Sequence, residues 1–151
     1  MTLLQAIRTR LLSLPAVTAL VGNRISVMMA QQSPASRSVL LQEISRIDFA
    51  HLRGATDLMP SRIQVDVFVT KGDGDAYTDA HLISGTIRGD FTGGVATGLV
   101  GFQGLVGDVY IQAIQGAGQR EIFDPEEMQV VRVLSEYFVW FHHTAASGLS
   151  I

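Results

Sequence analysis

Apolar and polar residues alternate most cleanly over Ser61–Val69, read as SRIQVDVFV. Ile63, Val65, Val67 and Val69 fall on one face, and Arg62, Gln64, Asp66 and Phe68 on the other. That period of two predicts a strand with one apolar face. A short Gly/Asp loop, Lys71 to Gly74, separates it from a stretch with helical period, whose apolar stripe is Ala76, Ala80, Ile83, Ile87 and Phe91. A helix over about Asp75–Asp90 follows, with Asp73 and Asp75 suited to its N-terminus as caps or dipole partners.

Similar patterns run along the rest of the chain. Leu3, Leu4, Ile7, Leu11 and Leu14 recur at helical spacing behind Thr2, a natural N-cap. Pro15 ends that helix or begins a second short one, for which Gly22 stands at the C-terminal cap. Strands are expected at Ile25–Met29, Ser38–Ile47, Arg62–Thr70, Asp108–Gln115 and Met128–His143. In the last, Val131, Val133, Tyr137, Val139 and Phe141 share one face, while Arg132 and Glu136 share the other with Phe138 and Trp140. Its second half is therefore apolar on both faces, as a central strand would be. Gly116 and Gly118 read as a hairpin turn, and Arg120–Glu127 as a loop. Gly98, Gly101, Gly104 and Gly107 recur every third residue; without proline this is no collagen repeat, and a bulged or flexible arm over Gly93–Gly107 is the expectation. Deleting Gly94–Val106 is then expected to spare the fold but impair binding to neighbouring subunits or other partners. A mobile tail is expected over about 144–151.

These elements predict an α+β fold: a single, mainly antiparallel sheet of about four or five strands, packed by an N-terminal helix and a central helix. The 151 residues are read as one domain. Area scaling buries roughly two thirds of the extended chain's surface, enough for a core without staples. Charged residues are only 17% of the chain, so either neutral loops or neighbouring subunits cover its surface. The net charge of −3 offers no basic field for tight nucleic-acid binding. Ten of the eleven basic residues are Arg, which suits planar interface contacts, although codon bias produces the same excess. Arg8 and Arg10 interrupt any signal-peptide pattern, and no apolar run approaches about 20 residues, so synthesis and folding in a cytoplasm are expected.

Candidate chemistry is sparse. There is no cysteine. Gly93 and Gly98 have phosphate-loop spacing, but Leu99 and Val100 replace the required Lys and Ser/Thr. Gly116-Ala117-Gly118 begins like a dinucleotide fingerprint, yet Glu121 fills the third glycine position. His142 and His143 are adjacent on a strand, so they point to opposite faces and cannot share one ion. His51 and His81 have no ligand at useful spacing. Asp124, Glu126 and Glu127 lie beside Pro125 with no nucleophile nearby. No enzyme is expected, and no catalytic, metal or cofactor residue is assigned.

Three stretches carry a family resemblance: LPAVTALVGNRI (Leu14–Ile25), SRIQVDVFV with its following helix, and VVRVLSEYFVWFHH (Val130–His143). In order and spacing the chain resembles the tail-completion, or tail-terminator, proteins of long-tailed bacteriophages with non-contractile tails. The Gly93–Gly107 and Asp48–Pro60 stretches are longer than such connections require. The resemblance implies a virion protein that forms a ring, typically of six copies, at the head-proximal end of the tail tube. Its partners would be itself, the tube protein and the head-completion or stopper protein, with DNA passing through the opening without tight binding. Another neck component, a tube subunit or a small-molecule-binding domain are the alternatives. Arg53, Asp57, Leu99, Phe102, Leu105, Phe138 and Trp140 are the residues expected at subunit or tube interfaces.

Overall fold

The computed structural model describes residues 1–28, 37–46, 50–51, 54–55, 59–70, 75–123 and 130–144. Helix α1 spans Leu3–Leu12. Its start is a capping box: Gln5 N–H donates to Thr2 Oγ1 at 3.2 Å, and Thr2 N–H donates to Gln5 Oε1 at 2.8 Å. Leu3, Leu4, Ala6, Ile7 and Leu11 form its buried stripe. Helix α2, Pro15–Val21, begins on the expected proline and ends at Gly22, whose φ of +62° suits a residue without Cβ. Helix α3, Ala76–Arg88, is capped by Asp75, which accepts the Thr78 N–H and hydroxyl. Those two bonds hold the Asp75 carboxyl below its ordinary value.

The long strands are β2 (Arg37–Arg46), β5 (Met59–Thr70), β9 (Val109–Phe123) and β10 (Val130–His143). Short strands β1 (Ile25–Val27) and β8 (Gly104–Val106) flank them, giving a curled six-stranded sheet in the order β1-β2-β5-β10-β9-β8. Two-residue hairpins, β3–β4 (Ala50–His51 with Gly54–Ala55) and β6–β7 (Phe91–Thr92 with Val95–Ala96), stand apart. The class is α+β, but the sheet has six strands rather than four or five. It is also mixed, because β1 runs parallel to β2. Three residues carry too little alternation to reveal strand direction, which is set by where α2 delivers the chain.

All three helices cover one face. Helix α3 lies across β5 and β10; α1 touches β1 and β2 at one flank and β8 at the other, so the sheet wraps around it. The core gathers Ile63, Val65, Val67 and Val69 from β5 with Val131, Val133, Tyr137, Val139 and Phe141 from β10, as the alternation requires. One polar pair bridges α3 and β10 inside it, with Ser84 Oγ 2.9 Å from Ser135 Oγ.

Two expectations fail here for physical reasons. Gly116 and Gly118 are not a hairpin turn. Strand β9 runs through them to Phe123, and the register with β10 passes from Gly116↔Tyr137 to Gly118↔Glu136, leaving Ala117 as the extra residue of a bulge. Residues 120–123, expected as loop, are therefore strand; Asp124, Glu126 and Glu127 lie outside the described residues.

Nor is Gly93–Gly107 an arm. After the β6–β7 hairpin the chain returns to the end of α3. There the Leu99 and Val100 N–H groups donate to the Ile87 and Arg88 carbonyls at 2.9 and 3.0 Å, satisfying helix-end acceptors that would otherwise be orphaned. Gly89 and Gly98 allow this approach: a Cβ on Gly98 would sit 2.5 Å from the Ile87 carbonyl oxygen. Leu99 is 0% exposed, so removal of 94–106 would open the core rather than spare it.

Candidate assembly surfaces

Three surfaces stand out among the described residues. The first is a corner built on the β6–β7 hairpin. Phe91 and Val95 are 60% and 63% exposed there, and Leu105 on the neighbouring strand β8 is 59% exposed; with Met28 these are the most exposed large apolar side chains among the described residues. A shallow cavity of about 390 Å³ lies among Arg10, Phe91, Val95, Gly101 and Phe102. Arg10 fastens the corner to α1. Its Nη2 donates to the Ala96 and Gly98 carbonyls at 2.9 and 3.1 Å, and its guanidinium carbon sits 4.1 Å over the Phe102 ring. Burial lowers the Arg10 pKa from its ordinary value, yet a guanidinium stays charged at any physiological pH.

The second surface is the sheet face opposite the helices. The polar half of the β5 alternation falls here, crossed by ion pairs to β10. Arg132 Nη2 donates to Asp66 Oδ2 at 2.7 Å, and Gln64 Nε2 donates to both Asp66 oxygens at 2.9 and 3.1 Å. Asp66 is 0% exposed despite lying on the helix-free face, so its charge is stabilised by Arg132 and Gln64 rather than by water. Arg62 pairs with Glu136. Beside these pairs, Phe138 is 42% exposed and Trp140 half-buried.

The third surface is the outer edge of β9. Strand β8 covers only Val109–Ile111, and the Gly101 N–H meets the Ile114 carbonyl at 3.2 Å. From Gln115 to Ile122 every residue is exposed. Two groups on α3 reach this strand: the Tyr77 hydroxyl and His81 Nε2 lie 3.2 and 2.9 Å from Glu121 Oε1. Glu121 pushes the Tyr77 phenol up, first through the hydrogen bond it accepts and then through its negative charge, both of which favour the protonated form.

The residues expected at interfaces are thus scattered. Phe102 lies at the corner, Leu105 is exposed on β8, and Phe138 and Trp140 lie on the helix-free face. Leu99 is core, withdrawn from any contact surface, and Arg53 and Asp57 lie outside the described residues. Sequence reasoning missed Phe91, placed on the helix stripe but presented outward one turn beyond its end, and Val95, hidden by the surrounding glycines. It also missed the β9 edge, where the signal was an unbroken run of polar and small residues read as turn and loop. His142 stacks on Tyr110, and His143 Nε2 lies 3.1 Å from the Met1 carbonyl oxygen. Among the described residues, no three His, Asp or Glu side chains converge on a common metal position.

Such a chain falls in the class of small α+β proteins that present surfaces for assembly. The family model described as Tail completion protein gp17 matches residues 5–142, and the chain belongs to that family: it is a structural protein of the phage tail, located in the virion. Among solved structures, a chain from the virion of a native gene transfer agent particle has the same fold, with a TM-score of 0.71 at 15% identity over 93% of this chain and 94% of that one. No curated protein matches the sequence.

Proposed function

We propose that copies of this chain close into a ring, of six subunits, on the head-proximal end of the tail tube. There the ring stops tube polymerisation and offers the surface on which the head-completion protein docks. The observation that carries the reading is the family match over residues 5–142, nearly the whole chain. Three distinct sticky regions on one small domain support it, since a subunit in a closing ring needs two different lateral surfaces and at least one axial one. The protein acts by assembly, not catalysis. DNA passes through the opening without being gripped: on the helix-free face Arg62 and Arg132 are already paired with Glu136 and Asp66, so they release few counterions from phosphates.

Electron microscopy of purified tail tubes mixed with the protein tests this. A ring at one end, with tube growth arrested, is the expected result. Tubes that lengthen by incorporating the protein would make it a tube subunit. Tubes that grow unchanged, with nothing bound, would move it to the head side of the neck.

A further inference from the structure

The two flanks of the sheet are unequal in a way that points to how copies join. Strand β1 covers only Val39–Leu41 of β2, leaving the strand's far end, Gln42–Arg46, paired with β5 on its inner side but without a strand on its outer side among the described residues. Strand β8 covers only Val109–Ile111 of β9, and no described residue donates a backbone hydrogen bond to, or accepts one from, the outward edge of Gln115–Ile122. The latter run is about 27 Å of strand edge at ~3.4 Å per residue.

Elsewhere the edges are blunted. Arg8 Nε donates to the Ile25 carbonyl at 2.7 Å on the outer side of β1, and the Gly101 N–H occupies Ile114 at the start of the β9 edge. Free strand edges bind other strands, and soluble proteins normally protect them. Among the described residues, the protection stops where each uncovered run begins.

We infer that the uncovered edge of β9 adds as a strand to the Gln42–Arg46 end of β2 on a second copy of this chain, so that neighbouring subunits share one continuous sheet. The two runs suit each other. Ala117 and Gly118 on β9 are small and exposed, and a Cβ on Gly118 would meet nothing within 4 Å, so a second backbone can approach there; the Arg88 guanidinium lies against the neighbouring Gly116. Arg120 is exposed and has no ion pair among the described residues. The receiving end presents Glu43, held among the described residues by an exposed pair with Arg46 three residues on and by Ser61 Oγ; the ion pair is weak enough to exchange. Beside that end a groove of about 720 Å³ opens between α1 and the sheet flank, lined by Leu4, Val27, Met28 and Glu43. Ile122, 38% exposed at the end of the β9 run, and the 60% exposed Met28 are the apolar groups it would cover. Because the two runs are different surfaces, the contact is head-to-tail and propagates from copy to copy until it closes. The inference rests on the ring reading above and names its lateral joint.

The chain has no cysteine, so engineered thiols report contacts cleanly. Gln119→Cys on β9 and Ile44→Cys on β2 change exposed positions, and Leu82→Cys on the exposed side of α3 is the control. Each variant is first checked for an unchanged thermal melt, then bound to tail tubes and treated with a short bismaleimide. A mixture of Gln119→Cys and Ile44→Cys proteins should shift to twice the monomer mass, while either alone and every mixture with Leu82→Cys stays monomeric. The double variant Gln119→Cys/Ile44→Cys should give a ladder that ends at the ring's copy number. Rings visible on tubes with no such cross-link would overturn the edge joint and leave the ring reading standing. Gln119→Cys cross-linking to itself would overturn it in favour of a two-fold contact. Neither rings nor cross-links would overturn both.

Discussion

At the scale of single residues, the buried carboxylate of Asp66 is the most exposed to perturbation. A 0% exposed charge held by Arg132 and Gln64 on a face without helices is costly to leave unpaired. Arg132→Ala should destabilise the chain by about 3 kcal/mol, because it strands that charge, whereas Asp66→Leu with Arg132→Met should recover most of the loss; urea denaturation of the three proteins measures both. Tyr137 gives a pH signature. It is 1% exposed, and burial pushes its phenol up to about 12, with Arg88 and Ser135 pulling the other way. The folded pKa is raised, so the contribution to stability is complete below the unfolded value of about 10 and is lost as pH rises from there through about 12. Across that window the wild type should lose stability relative to Tyr137→Phe by about 2 kcal/mol, read as the difference between their urea midpoints at each pH. Neither feature was legible in the sequence. Asp66 occupies a polar position of an alternating strand, where exposure is the ordinary outcome, and only the pairing with β10 brings Arg132 to it.

At the scale of elements, legibility followed periodicity. Thr2 and Gln5, Pro15 and Gly22, and Asp75 each mark a helix end by local chemistry that no tertiary contact needs to supply, and all act where the sequence puts them. The alternations at Ile63–Val69 and Val131–Phe141 place the core face of the two central strands correctly because burial on one side enforces the period. Glycine carried no such information. Gly116 allows either a turn or a bulge, and the choice is made by twelve residues of pairing between β5 and β10 that extend the neighbouring ladder. The triplet glycines concealed Leu99, whose burial depends on the Gly89–Gly98 backbone contact. That contact yields a sharp contrast. Leu99→Ala should cost about 2–5 kcal/mol by opening a core cavity, while Leu105→Ala, 59% exposed and six residues away, should leave stability within about 0.5 kcal/mol. Equal losses in the two denaturation curves would mean that this segment is not packed as described.

At the scale of the whole molecule, the strand latest in sequence among the described ones, β10, lies between the two halves of the sheet. Strand β10 is paired on both sides and joins β5 to β9, so the two uncovered edges belong to one continuous sheet only once β10 is in place. Under the proposed joint, every folded subunit would offer its donor and acceptor edges together. A head-to-tail ring built this way has a distinctive sensitivity to defective copies. A charge at the bulged Ile44 position, as in Ile44→Lys, should leave the monomer folded, since that side chain is 46% exposed, but should repel an incoming strand. A ring needs every joint, so one blocked copy prevents closure. For six subunits, doping with 10% of the variant should leave only about half of the rings intact, since each must be free of it. Counting closed rings on tubes by electron microscopy against the doping fraction measures this. A steep, power-law loss is expected; a loss in simple proportion to the variant would mean that copies dock on the tube independently, with no obligatory joint at this edge.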